Sequence, residues 1–241
     1  MSFWTQVVLE VLVVGACVLT IACSGSTSPE PVGPEPPPPG SEHAAPAPEP
    51  QGLEVDPKAR RISIPATLQL AAFAAGDPPG HHLVTWAGGR AGSKALLETP
   101  VSDTDVLDAL EGLGAKPGDT LTAAAWDYRD DPDRPEPDAR AEGPALTITC
   151  SLPDGREVAI EELLEDLDGN GFSWVLAGNR GLIPVWKSGC VVCLQSCPGA
   201  KVANREATIR DLAQGKSRFQ ASELARSLGD GAQLTVHLQL Q

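Results

Sequence analysis

Two stretches of this chain alternate apolar and polar side chains with period two: Arg61-Ile62-Ser63-Ile64-Pro65-Ala66-Thr67-Leu68, and the terminal Leu234-Thr235-Val236-His237-Leu238-Gln239-Leu240. Each predicts a strand with one buried and one wet face. The apolar runs at Leu83 to Trp86, Thr120 to Trp126, Ala145 to Cys150 and Phe172 to Ala177 predict further strands. Helical signals are fewer. Ser102-Asp103-Thr104-Asp105 caps a segment with Val106, Leu107, Leu110 and Leu113 on one face, and Gly114 closes it. Ile160 to Leu164 and Ser222 to Leu228 predict two short helices. Strands at both ends with helices between them predict an α+β domain over residues 52–241. Its expected core is a mostly antiparallel β-sheet, curled or doubled into a sandwich, with a few short helices.

The first 51 residues follow neither period. Residues 11–22 are an uncharged apolar run, the length of a signal-peptide h-region and shorter than the roughly 20 residues of a spanning helix. The run ends in Thr20-Ile21-Ala22-Cys23, which resembles a bacterial lipobox, so residues 1–22 read as a lipoprotein signal peptide and Cys23 as the lipidated first mature residue. A poorer lipobox ends at Cys17, and an uncleaved anchor helix from Phe3 to Ala22 is the alternative. Residues 23–51 are a Ser, Pro, Gly and Glu tether without Lys or Arg, too polar to offset its ordering entropy and expected to be disordered. Both readings place the domain outside the cytoplasm, on the periplasmic side or the cell surface, with the membrane as its partner through the anchor.

Composition removes one class of partner. A formal charge of −14 argues against nucleic acid, whose phosphates need clustered Lys and Arg. Residues 127–142 form a Pro-broken acidic stretch, which reads as a solvated, dispensable surface loop inserted in the domain.

The candidate chemistry lies in Cys150 and in the run Gly189-Cys190-Val191-Val192-Cys193-Leu194-Gln195-Ser196-Cys197-Pro198. Leu53-Glu54-Val55-Asp56-Pro57, Arg61 to Ala66, Leu96 to Thr99, Leu107 to Leu110 and Gly114 to Gly118 resemble the YdjY family of bacterial exported proteins. The cysteine run, with Thr208-Ile209-Arg210-Asp211 downstream, is similar to its cysteine-bearing members. The resemblance spans roughly residues 51–241 and implies a shared fold without an activity. From the residues themselves, Cys150, Cys190, Cys193 and Cys197 are an even set in an oxidising compartment, so two disulfides are the first expectation and no cofactor is needed. An iron–sulfur cluster is an alternative, although C-x2-C-x3-C-P lacks one thiolate of the ferredoxin pattern. Copper or zinc is another: Cys193 and Cys197 in C-x3-C-P resemble the copper element of Sco-type proteins, with His81, His82 or His237 as nitrogen donors. The histidines also have plainer readings, His81 and His82 as a loop pair and His237 as a solvent-facing residue.

Asp166, Asp168 and Asn170 match the first half of a calcium-binding EF-hand loop, but Ala177 stands where the closing Glu belongs and a hairpin turn explains the same residues. Neither Gly-x-Ser-x-Gly nor His-Glu-x-x-His occurs, so the chain gives no sign of an enzyme.

Overall fold

The computed structural model describes residues 52–76 and 78–241; the expected signal peptide, Cys23 and the tether lie outside them. In chain order the strands are β1 (Glu54–Asp56), β2 (Arg61–Leu68), β3 (His82–Trp86), β4 (Ala95–Thr99), β5 (Ala145–Ser151), β6 (Glu157–Ala159), β7 (Leu164–Asp166), β8 (Trp174–Leu176), β9 (Cys190–Cys193), β10 (Val202–Asn204), β11 (Phe219–Ala221) and β12 (Gln233–Leu240). The helices are short: α1 (Leu70–Ala74), α2 (Asp103–Gly112), α3 (Ala124–Asp127), α4 (Ile183–Trp186), α5 (Ile209–Ala213) and α6 (Glu223–Leu228). None is long and apolar enough to cross a membrane.

The period-two pattern of β2 is realised residue by residue, since Ile62, Ile64, Ala66 and Leu68 are buried while their neighbours are partly exposed. On β12, β2 lies to one side, with Val236 opposite Ile64, and β5 to the other, with Leu238 opposite Ile148. The main sheet has ten strands, and eight of them form the ring β2-β12-β5-β8-β10-β9-β3-β4. It closes because β2 also pairs with β4, through Thr67 opposite Glu98 and Leu68 opposite Leu97. β1 and β6 hang on the outside of this ring, and β7 with β11 makes a separate ribbon. The described domain is therefore a closed β-barrel, which corrects the expected β-sheet or sandwich. Alternation specifies which faces are buried, but the closing contact rests on two residue pairs that no periodicity marks.

Two other expectations change. Thr120 to Trp126 forms no strand; the chain enters α3, where Leu121 and Ala125 are buried. Residues 127–142 are ordered rather than loose. They wrap around Arg210, whose guanidinium is 7 % exposed as a residue and donates to the carbonyls of Arg129, Asp131 and Arg134 and to the Asp138 carboxylate. Pro137 and Ala141 are buried beneath the wrap.

The barrel wall separates two apolar clusters. Trp174, Leu176 and Val202 point into the main cluster with Ile62, Ile64, Leu97 and Val236. Their sequence neighbours Val175, Ala177 and Ala203 belong to a second cluster, with Leu121, Ala141, Ile209 and three cysteines. Adjacent residues of a strand face opposite sides of the sheet, so the second cluster lies outside the barrel, under the segment that runs from α3 to Ala141.

Candidate metal centre

Cys190 and Cys193 bound β9, and Cys197 follows in the connection to β10, which lies parallel beside β9. All three are buried in the outer cluster. Across the ladder stands β3, with His82 opposite Cys193 and Thr85 opposite Cys190; two register shifts between them bulge the pairing. A bulge re-aims side chains, and His81 precedes the strand proper, so neighbouring histidines that would straddle a regular strand meet the same cluster. Their rings stack at 4.1 Å between centroids, and Trp126 of α3 stacks on His81 at 5.5 Å.

The donor atoms converge. His81, His82 and Cys193 each offer a ligand atom within 4.8 Å of the other two. His82 Nδ1 lies 3.4 Å from Cys190 Sγ, close to the roughly 3.5 Å that separates a nitrogen and a sulfur bound to one tetrahedral ion. The Nε2 of His81, a residue only 4 % exposed, has no hydrogen-bond partner among the described residues. Such a buried orphan is costly unless something meets it.

Charge follows the same geometry. Hydrogen bonding to Cys193 outweighs burial and, with the neighbouring His82, brings the Cys190 thiol down to about 5. Cys197 is likewise lowered by Cys193 and by His81. Cys193, buried between them, is pushed up by burial and by its bonds to both. Burial alone would lower His82, but the Cys190 and Cys197 charges raise it. Lowered thiols at Cys190 and Cys197, faced by imidazoles, are donors of the type whose metal binding depends on proton release.

The loop is braced from beneath. Lys201, 1 % exposed, reaches Asp103 at the start of α2 at 3.2 Å and donates to the Gly199 carbonyl at 2.8 Å. Its backbone N–H donates to the Cys190 carbonyl, so one residue ties both ends of the cysteine run. Ser196 Oγ accepts from the Ala141 N–H, which fastens the run to the outer segment.

Cys150 stands apart. It lies on β5 in the inner cluster, on the other side of the wall, and burial followed by the nearby Glu157 charge pushes its thiol up to about 12. All four cysteines are unbonded. Neither expected disulfide is formed: the barrel wall keeps Cys150 from the run, and Cys190, Cys193 and Cys197 lie together as free thiols.

The remaining sequence candidates are elsewhere. His237 is buried rather than solvent-facing, 2.7 Å from Ser63 Oγ and 2.9 Å from Ser151 Oγ, and burial lowers its pKa. In the loop after β7, Asp166 accepts backbone N–H groups from Asp168, Gly169 and Gly171, and Asp168 pairs with Arg218 at 2.6 Å. Asn170 donates to the Lys216 carbonyl. These side chains close a turn and a strand ribbon. Trp126 and Trp186, which flank the histidines, and Lys201 carried no sequence signal; a Trp in an apolar run and a lone Lys in a Gly-rich turn look like any others.

The YdjY domain family profile matches residues 53–239. No curated protein and no solved structure matches the chain.

Proposed function

We propose, for a chain that belongs to the YdjY family, a metal-binding function carried by His81, His82, Cys190, Cys193 and Cys197. The observation behind it is the convergence of two imidazoles and a thiol within 4.8 Å, with two further thiols alongside. Mixed sulfur and nitrogen donors suit one soft or borderline ion, copper(I) or zinc. A cubane cluster fits less well, because it needs four thiolates and only three stand here, Cys150 lying across the barrel wall. The family name assigns no activity, and the site supports storage, delivery or a redox role of the bound ion equally. Delivery to the outer face of a membrane by lipid on Cys23 completes the reading; it rests on the lipobox-like Thr20-Ile21-Ala22-Cys23.

Metal analysis of protein purified without added chelator is the test. The expected result is about one equivalent of copper or zinc, lost in Cys193→Ser and retained in Cys150→Ser. Metal-free wild-type protein that takes up neither ion, or whose mass is two hydrogens short because two of the three loop thiols have joined, would sink the proposal.

A further inference from the structure

Beside the cysteine run opens a pocket of about 380 Å³, within the range of small-molecule sites. Cys190, Cys197 and both histidines line its inner part; Trp126, Trp186 and the 65 %-exposed Val185 give it apolar walls. Two cations, Arg90 and Lys94, stand on it, against one carboxylate, Asp127. Neither cation's side chain has a hydrogen-bonding or ion-pairing partner among the described residues, whereas Arg129, Arg134, Arg140, Arg180, Arg210, Arg218 and Arg226 each pair with a carboxylate. Lys58, Lys116, Lys187 and Arg205 are unpaired among the described residues as well, so it is the placement of two such cations at one opening, on a chain of formal charge −14, that marks the pocket.

The pocket is built, not incidental. Arg90 and Ala91 donate backbone N–H groups to the carbonyls of Lys187 and Ser188, fixing the cationic turn against the end of α4. This approach requires glycine on both sides: a Cβ on Gly89 would lie 2.4 Å from the Ser188 oxygen, and one on Gly189 would lie 2.7 Å from the Gly89 Cα. Trp186 packs over Gly199 of the cysteine turn.

We infer that this pocket binds a small organic anion, its carboxylate met by Arg90 and Lys94 and its apolar body held against Trp126 and Trp186. The inference concerns the same site as the metal reading and rests on it only for an ion at the inner end; the cations and the walls belong to the protein. At the mouth Arg90 and Lys94 stand against Asp127 alone, and the Cys190 and Cys197 charges further in are met by the imidazoles and the ion of the proposed centre, so the mouth favours an anion over a neutral or cationic ligand and the tryptophans one with an apolar body.

Tryptophan fluorescence of metal-free and metal-loaded protein, titrated with benzoate, benzamide and acetate, tests it, with metal content measured on the same samples. Benzoate is expected to saturate in the millimolar range or below and to bind about tenfold tighter than benzamide, which lacks the charge, and than acetate, which lacks the ring. The Arg90→Gln, Lys94→Gln double variant should lose about tenfold in benzoate affinity, with unchanged circular dichroism because both residues are exposed. Equal binding of benzoate and benzamide, no saturation by benzoate, or a double variant that binds like wild type would overturn the inference. Benzoate binding to protein that takes up no metal would uphold the pocket and count against the metal centre alone.

Discussion

Lys201 shows how much a single residue decides. Its ammonium is removed from water and offset by Asp103 and the Gly199 carbonyl, and those contacts fix the turn that presents Cys197. Replacing it with Met should cost about 3–5 kcal/mol, because the Asp103 charge is left buried without a partner. The double variant Lys201→Met, Asp103→Leu should regain most of that loss in chemical denaturation yet bind metal more weakly than wild type. Recovery of stability together with unchanged metal affinity would show that the pair braces the fold and leaves the site alone. The sequence offers no hint of this pair: 98 positions separate the partners, and Lys201 stands in a turn where a solvated lysine is the ordinary reading.

At the scale of elements, the strands with period two and the apolar runs that became β3, β5 and β8 were legible, and Cys190–Cys193 was not. Arg61–Leu68 and Gln233–Leu240 announce themselves because each has one wet face. Cys190–Cys193 is buried along its whole length and spans four residues, so it shows no alternation and reads as a loop of cysteines. The acidic stretch misleads in the opposite direction: its charges and prolines suggest a free loop, but its backbone carbonyls, which no pattern displays, gather on Arg210. Deleting Asp130 to Ala139 should therefore destabilise the domain by several kcal/mol, and Arg210→Ala by about 1–3 kcal/mol, since partly buried carbonyls lose their donor. Thermal denaturation of the two variants checks this; a deletion variant as stable as wild type would restore the loop to a dispensable ornament. The same deletion should loosen Trp126, whose ring covers His81.

For the whole molecule, the alternating strands foretold a β-rich domain with its cores on one face, while closure depended on Thr67 and Leu68 finding β4, a contact without a sequence signature. The convergence of His81 and His82 with the cysteine run was equally hidden, because it needs the bulged β3–β9 ladder; the sequence supplied the donors and could not bring them together. The proposed membrane attachment belongs to this scale too. Cys23→Ser should leave the precursor uncleaved or free the protein from the membrane fraction, measured by fractionation and mass spectrometry. A substituted protein that still matures and sediments with membranes would favour an anchor helix.

The bulged ladder has a further consequence for when the centre can exist. His82 and Cys190 are 108 positions apart, and they become neighbours only when β3 finds β9, a non-local pairing that is slow to form because its loop-closure entropy is lost before any contact rewards it. Before that pairing forms, the extended chain offers an ion at most the three thiols of one short run. If the chain is exported and holds an ion as proposed, that ion would be collected after the barrel has closed, so that the metal supply of the destination, and not that of the compartment of synthesis, would decide which ion is bound.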